Sequence, residues 1–232
     1  MIGVLGGMGP LATLDFFQKV LSSTPVVSEL DHVPLLIQSD PRLPSRPDAI
    51  LAGGPSPLPD LMRARDRLIA SGATALAMPC NTAHYWYAEL AQGCPVPFLS
   101  ILDACMDELP MVCAPGAKVG LLGTRATLAT HLFDDRLVAQ GYVPVLPSEE
   151  VLSQLVLPAI AGVKAGHTAE AAPLLERAVE ILLSQGATAV ILACTEIPVA
   201  LDALASPLRQ HCIDSTGALA RQCVAWWGRP RT

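Results

Sequence analysis

The sequence predicts an α/β protein built as two related lobes, and three observations carry that expectation. Short apolar strands alternate with helical stretches along the chain. Most of these strands are continuous apolar runs, as expected for parallel strands covered on both faces. Two pairs of segments also repeat in the same order. MIGVLGGMGPLAT at residues 1–13 matches KVGLLGTRATLAT at 118–130, pairing Gly3 with Gly120, Gly6 with Gly123 and Thr13 with Thr130. RLIASGATALAMPCNTAH at 67–84 matches ILLSQGATAVILACTEIP at 181–198, and Cys80 and Cys194 fall at the same separation as Gly72 and Gly186. We read an internal duplication: each lobe carries a glycine turn after its first strand and a cysteine after a later one.

The elements follow in order. Strand Ile2–Leu5 runs into the glycine turn Gly6–Pro10 and then a helix over Leu11–Ser22. The second strand is Val33–Gln38, and the proline-rich Arg42–Pro59 is a long loop, a feature that is often functional. Helix Leu58–Ser71 leads to strand Ala75–Met78, helix Asn81–Glu89, strand Phe98–Ile101 and helix Ile101–Glu108. Strand Lys118–Leu122 opens the second copy. Helices Ala126–Gln140, Leu152–Ala165 and Thr168–Gln185, strands Ala189–Leu192 and His211–Ile213, and helix Ser215–Trp227 complete it. Such alternation implies mainly parallel sheets with right-handed crossovers. We expect residues 1–99 plus 206–232 to form one lobe, with Cys80, and residues 100–205 the other, with Cys194.

Composition limits the partners. The chain has 232 residues, 51% hydrophobic but only 4% aromatic, so an ample core must be built from Ala, Leu, Val and Ile. A net charge of −6 argues against nucleic acid or an anionic membrane surface. No apolar run reaches the roughly 18 residues a membrane span requires. The N-terminus lacks the basic region of a signal peptide, and seven cysteines without a Cys-x-x-Cys pair suit a reduced compartment, so a cytoplasmic location is expected. Cys94, Cys105, Cys113, Cys212 and Cys223 read as small apolar core residues.

Ligands of parallel sheets bind at the carboxyl ends of the strands, where both glycine turns and both cysteines fall. Gly6–Ala12 contains Gly-x-Gly-x-x-Ala, but Asp40 is far for the acidic partner of a dinucleotide site and the second copy has lost its glycines. An anion-binding turn with N–H groups facing a carboxylate fits both copies better. Cys80 and Cys194 each lie where a strand ends and a helix starts, a position that favours a reactive thiolate. Asn81, Thr82 and Thr195 beside them supply donors suited to a carboxylate. Two equivalent thiols facing one carbon would serve a reaction at both of its faces. No spacing resembles a zinc site. His84 could support Cys80 or merely pack, and no Gly-x-Ser-x-Gly is present.

MIGVLGGMGPLAT, MPCNTAH and ACTE together resemble the cofactor-independent aspartate/glutamate racemase superfamily, and within it the aspartate racemase branch. The resemblance spans nearly the whole chain. It implies two pseudo-symmetric Rossmann-like lobes with the site in the cleft between them, no pyridoxal phosphate, no metal, and a homodimer acting on a small amino acid. Cys80 and Cys194 would be the acid/base pair, one thiolate removing the α-proton and the other thiol returning one to the opposite face. Gly7, Met8, Asn81, Thr82, Thr124, Thr127 and Thr195 would hold the α-carboxylate and amino group. Glu196 stands where glutamate racemases carry a histidine, and Gly6-Gly7 where they carry Asp-Ser; both departures point to the aspartate branch. Arg46 and Lys164 occupy the branch's positions for the substrate's side-chain carboxylate, although Pro47 follows Arg46 where the branch commonly has Thr. A broad-specificity racemase, a hydantoin racemase, a maleate isomerase, and a non-catalytic carboxylate-binding or redox-sensing protein remain alternatives.

Overall fold

A computed structural model describes residues 1–229. The chain divides into two compact units, Met1–Ala104 with the chain from Thr216 onward, and Cys105–Ser215. The first unit holds strands β1 (Ile2–Gly6), β2 (Leu35–Ser39), β3 (Ala75–Ala77) and β4 (Phe98–Leu99), all parallel, in the order β2-β1-β3-β4. The second holds β5 (Lys118–Gly123), β6 (Val143–Val145), β7 (Ala189–Ala193) and β8 (Cys212–Asp214), also parallel, in the matching order β6-β5-β7-β8. Each sheet is flanked by helices, and the equivalent strand orders bear out the α/β architecture with two related lobes.

Physical reasons for the repeated residues are visible at the helix-to-strand joints. Helix Leu58–Ala70 buries Leu61, Ala64 and Leu68, an i, i+3, i+7 stripe that faces the sheet. It stops because Gly72 takes φ +95°, which only glycine adopts freely. The Ala73 N–H then reaches back to the Leu68 carbonyl at 3.0 Å, and the Thr74 N–H donates to the Met1 carbonyl at 2.8 Å, setting β3 beside β1. In the second unit helix Thr168–Ser184 ends the same way. Gly186 has φ +92°, Ala187 donates to Leu182 at 3.1 Å, and Thr188 donates to Lys118 at 2.8 Å. The repeated Gly-Ala-Thr is therefore a helix stop that also registers the next strand. Gly3 and Gly120 repeat for want of space, since a Cβ on Gly3 would lie 2.8 Å from the Ala73 Cβ and one on Gly120 3.0 Å from the Leu182 Cδ1.

Several elements differ from the sequence expectation. Strand β6 is three residues long with Pro144 at its centre, an edge position where a missing N–H is tolerated, and too short to read as a run. The helix expected over Ala126–Gln140 is two, Arg125–Ala129 and Asp134–Ala139. Thr130 bonds back to the Ala126 and Thr127 carbonyls, and His131 then turns to φ +53°. The Arg42–Pro59 segment contains a short helix, Arg46–Leu51, capped by the Ser45 hydroxyl, and Pro47 sits in its first turn, where proline needs no N–H partner. Helix Glu196–Ala203 follows the second cysteine. Residues 206–215 lie with the second unit rather than the first because β8 pairs with β7, and residues 100–104 lie with the first. Among the described residues no helix is long and apolar enough to cross a membrane.

The Ala73 Cβ is attached to backbone and has little room to yield. Gly3→Ala is therefore expected to destabilise the protein by about 1–3 kcal/mol, the usual cost of overpacking. A shift of the urea midpoint to lower concentration checks this; an unchanged midpoint would show that the strand–helix joint has slack.

Candidate active site

In a sheet ordered β2-β1-β3-β4 the crossovers leave the two central strands in opposite directions, which opens a crevice at their carboxyl ends. The Gly6–Pro10 turn follows β1, and Cys80 follows β3 after only Met78 and Pro79. In the second unit Thr124 follows β5 and Cys194 follows β7 directly. Each unit thus places its turn and its cysteine at its own switch point.

In the first unit the turn is rigidly specified. Gly7 has φ +90°, and a Cβ there would come within 2.3 Å of the Asp40 backbone nitrogen. Its N–H donates to the Thr13 hydroxyl at 2.8 Å, which in turn donates to the Gly9 carbonyl at 3.0 Å. Thr13 is a site-supporting residue that the sequence reading did not single out, although its place in the repeat marked it. Met8 is buried within this turn, and Cys80, Asn81 and Thr82 are buried beyond the end of β3. The residues after Cys80 form a tight turn, Thr82–Trp86, before helix Tyr87–Ala91, so the expected single helix Asn81–Glu89 is resolved into two pieces. His84 lies in that turn with Nδ1 2.8 Å from the Cys80 carbonyl and Nε2 3.1 Å from the Ile101 nitrogen. Helix Arg46–Leu51 packs on the same turn. The Arg46 guanidinium, half-buried, donates to the Leu43 and Pro44 carbonyls at 3.2 and 2.9 Å, so it holds its own loop.

In the second unit Thr124 caps helix Arg125–Ala129. Its hydroxyl accepts from the Thr127 N–H at 3.1 Å and lies 2.9 Å from the Thr127 hydroxyl. Arg125 grips Glu149 through two bonds of 2.5 Å, tying this turn to the helical stretch that runs from Glu149 to Lys164. That stretch widens into a π turn over Leu152–Val156. Pro158 has no N–H to donate, and its ring crowds the carbonyl four residues before it. Behind the cysteine loop, Arg209 joins Asp202 at 2.6 Å to Asp214 at 3.0 Å, anchoring the end of helix Glu196–Ala203 to β8.

The chemistry concentrates at Cys194. Its Sγ donates to Glu196 Oε2 at 3.0 Å, and the Thr195 hydroxyl donates to the same oxygen at 3.2 Å; all three residues are buried. Burial pushes the Cys194 thiol well above the ordinary thiol range, and the Glu196 charge adds to that. The Lys164 ammonium opposes it, so Lys164 and Cys194 share one electrostatic environment although Lys164 itself is exposed. Cys194 is accordingly a protonated donor. Among the other thiols, Cys105, Cys113 and Cys223 are buried, whereas Cys94 and Cys212 are partly exposed. Burial pushes Cys212 and Cys223 up to about 12, which fits inert packing residues.

The chain belongs to the Asp/Glu/Hydantoin racemase family, whose family model matches residues 5–223. It is 29% identical over 233 residues to the broad-specificity amino-acid racemase RacX of Bacillus subtilis (strain 168), covering 97% of both chains. Among solved structures, Picrophilus torridus aspartate racemase matches with a TM-score of 0.85 and 29% identity, covering 100% of this chain and 95% of that one. An aspartate racemase homologue from Pyrococcus horikoshii OT3 shares the fold with a TM-score of 0.76 at 24% identity, covering 98% and 99%.

Glu196→Gln keeps an acceptor for the Cys194 thiol and removes the negative charge that raises its pKa. The variant's Cys194 is expected to ionise at lower pH, while burial still holds it above a free thiol. The pH dependence of Cys194 alkylation, followed by peptide mapping, measures this; an unshifted profile would contradict the electrostatic account.

Proposed function

We propose that this racemase inverts the α-carbon of an amino acid by two-base proton transfer, with aspartate as its substrate. One cysteine takes the α-proton as thiolate while the other delivers a proton to the opposite face, and the roles exchange with direction. The observation that carries this reading is the equivalent placement of Cys80 and Cys194 after the third strand of two equivalent sheets. Cys194, protonated against Glu196, is the acid in one direction. In the reverse direction the Glu196 carboxylate is in hydrogen-bond reach to accept the proton that the thiol must first give up. The Gly7–Met8 turn with Asn81 and Thr82, and Thr124, Thr127 and Thr195, are proposed to stabilise charge developing on the α-carboxylate through N–H and hydroxyl donors already in place. On this reading the electron demand falls on these donors, and no pyridoxal phosphate or metal is required.

Aspartate is proposed because Lys164 supplies positive charge near Cys194 and Arg46 lies in the helix packed on the Cys80 turn. A second reading, broad amino-acid specificity, is favoured by the Arg46 guanidinium being engaged with the Leu43 and Pro44 carbonyls. The 29% identity to RacX supports the same alternative.

Replacing Cys80 or Cys194 by Ala is expected to lower racemisation by about 10²–10⁴-fold, the usual contribution of a positioned acid or base. In D₂O each aspartate enantiomer should gain deuterium at the α-carbon, mainly in the inverted product. Retention of the α-hydrogen, or full activity of either variant, would defeat the mechanism. A panel of amino acids analysed by chiral separation divides the two substrate readings. With Lys164→Ala or Arg46→Ala, a loss confined to aspartate supports aspartate specificity, whereas equal losses on aspartate and a neutral amino acid support the broad reading.

A further inference from the structure

We propose that His84 is a positioning residue that aims Cys80, a role that rests on reading Cys80 as one of the two proton-transfer groups. The buried imidazole bridges two backbone groups whose roles are fixed by their chemistry. The Cys80 carbonyl can only accept, so Nδ1, 2.8 Å away, carries the hydrogen. The Ile101 N–H can only donate, so Nε2, 3.1 Å away, is the bare acceptor. One tautomer of the neutral ring satisfies both at once. The ring is also held in its plane, stacked on Tyr87 with centroids 5.4 Å apart and planes 7° from parallel. The Tyr87 hydroxyl is itself tied to the Phe98 carbonyl in β4 at 2.5 Å.

Cys80 lies beyond the end of β3, where the sheet's ladder no longer orients the backbone. Its own N–H turns back to the Met78 carbonyl at 2.8 Å. The His84 bond holds the carbonyl of the peptide plane leaving Cys80, and through that plane it bears on the direction of the Cα–Cβ bond that carries the thiol. It ties that plane to the start of helix Ile101–Val112, within which the chain passes from the first unit to the second. The second unit does not repeat the device. Pro198 stands four residues after Cys194, and Glu196 engages that thiol directly.

The test compares three variants of the full chain. His84→Asn places an amide nitrogen near the Nδ1 position and can keep the bond to Cys80. His84→Gln places an amide oxygen near the Nε2 position and can keep the bond to Ile101, while His84→Leu keeps neither. Gln and Leu should lower kcat by about 100-fold, as a misplacement near 1 Å does, with KM within about threefold of the unmodified protein. Both should also change the rate at which iodoacetamide labels Cys80, mapped by peptide, without changing that of Cys194. Asn should restore kcat to within about tenfold. The role is overturned if Asn is no better than Leu, if Gln matches Asn, or if activity per folded molecule and Cys80 labelling are unchanged in all three. Failure of the unmodified protein to exchange the α-hydrogen of any amino acid would defeat the proposed function itself. That result is separate from the labelling pattern, which reads the setting of Cys80 directly.

Discussion

Each sheet in this chain reverses its strand order once, and the reversal decides where chemistry is possible. Right-handed crossovers leave the two central strands in opposite directions, the first toward one edge of the sheet and the third toward the other, so no connection covers the carboxyl ends of this central pair. The backbone groups exposed there are satisfied by turns, and turns tolerate the residues that chemistry needs. Gly7 is pressed against Asp40, Thr13 bonds the Gly7 N–H, and Thr124 caps its helix, all at these ends. Both cysteines stand there for the same reason. The helix stops at Gly72 and Gly186, which hook Thr74 and Thr188 to the starts of the neighbouring strands, keep each cysteine-bearing strand in register with the strand that carries the turn.

The two cysteine loops are equivalent in topology and unlike in electrostatics. Cys194 is buried against a carboxylate, a combination that favours the thiol over the thiolate, with Lys164 as the counterweight. Cys80 has no acidic residue in the two positions after it; Asn81 and Thr82 follow, and its carbonyl is held by His84. The two-base reading proposed above asks for one protonated group in each direction, and Cys194 beside Glu196 would suit that part. Arg209, bonded to both Asp202 and Asp214, joins the end of the helix that begins at Glu196 to β8.

Much of the fold and part of the site were legible in the residues. Seven of the eight strands are legible in the sequence, most of them as continuous apolar runs, because strands such as Ile2–Gly6, Lys118–Gly123 and Ala189–Ala193 are buried along nearly their whole length. The eighth, Val143–Val145, is not, because an edge strand of three residues centred on Pro144 carries no run. The break at Thr130 is not legible in the sequence because its hydroxyl acts on its own helix through local bonds that leave the apolar period intact. The proline-rich sequence around Arg46 reads as a loop, whereas Ser45 and Pro47 start a helix there; these are local capping signals that the surrounding prolines obscure.

By itself the sequence determined the α/β class, the duplication, the two cysteines as the centre of interest and the family to which the chain belongs. These depend on periodicity and on residues that cannot be exchanged, such as glycines at positive φ, glycines where a helix meets a strand, and thiols after a strand. Only the tertiary structure decided how those residues are engaged. It showed that Cys194 is a thiol bonded to Glu196, that Arg46 grips its own loop, that His84 joins Cys80 to Ile101, and that residues 206–215 lie with the second sheet. The reason is physical: hydrogen-bond partners and the burial that sets a thiol's protonation depend on side-chain direction and on neighbours distant in sequence, and a repeat pattern records neither.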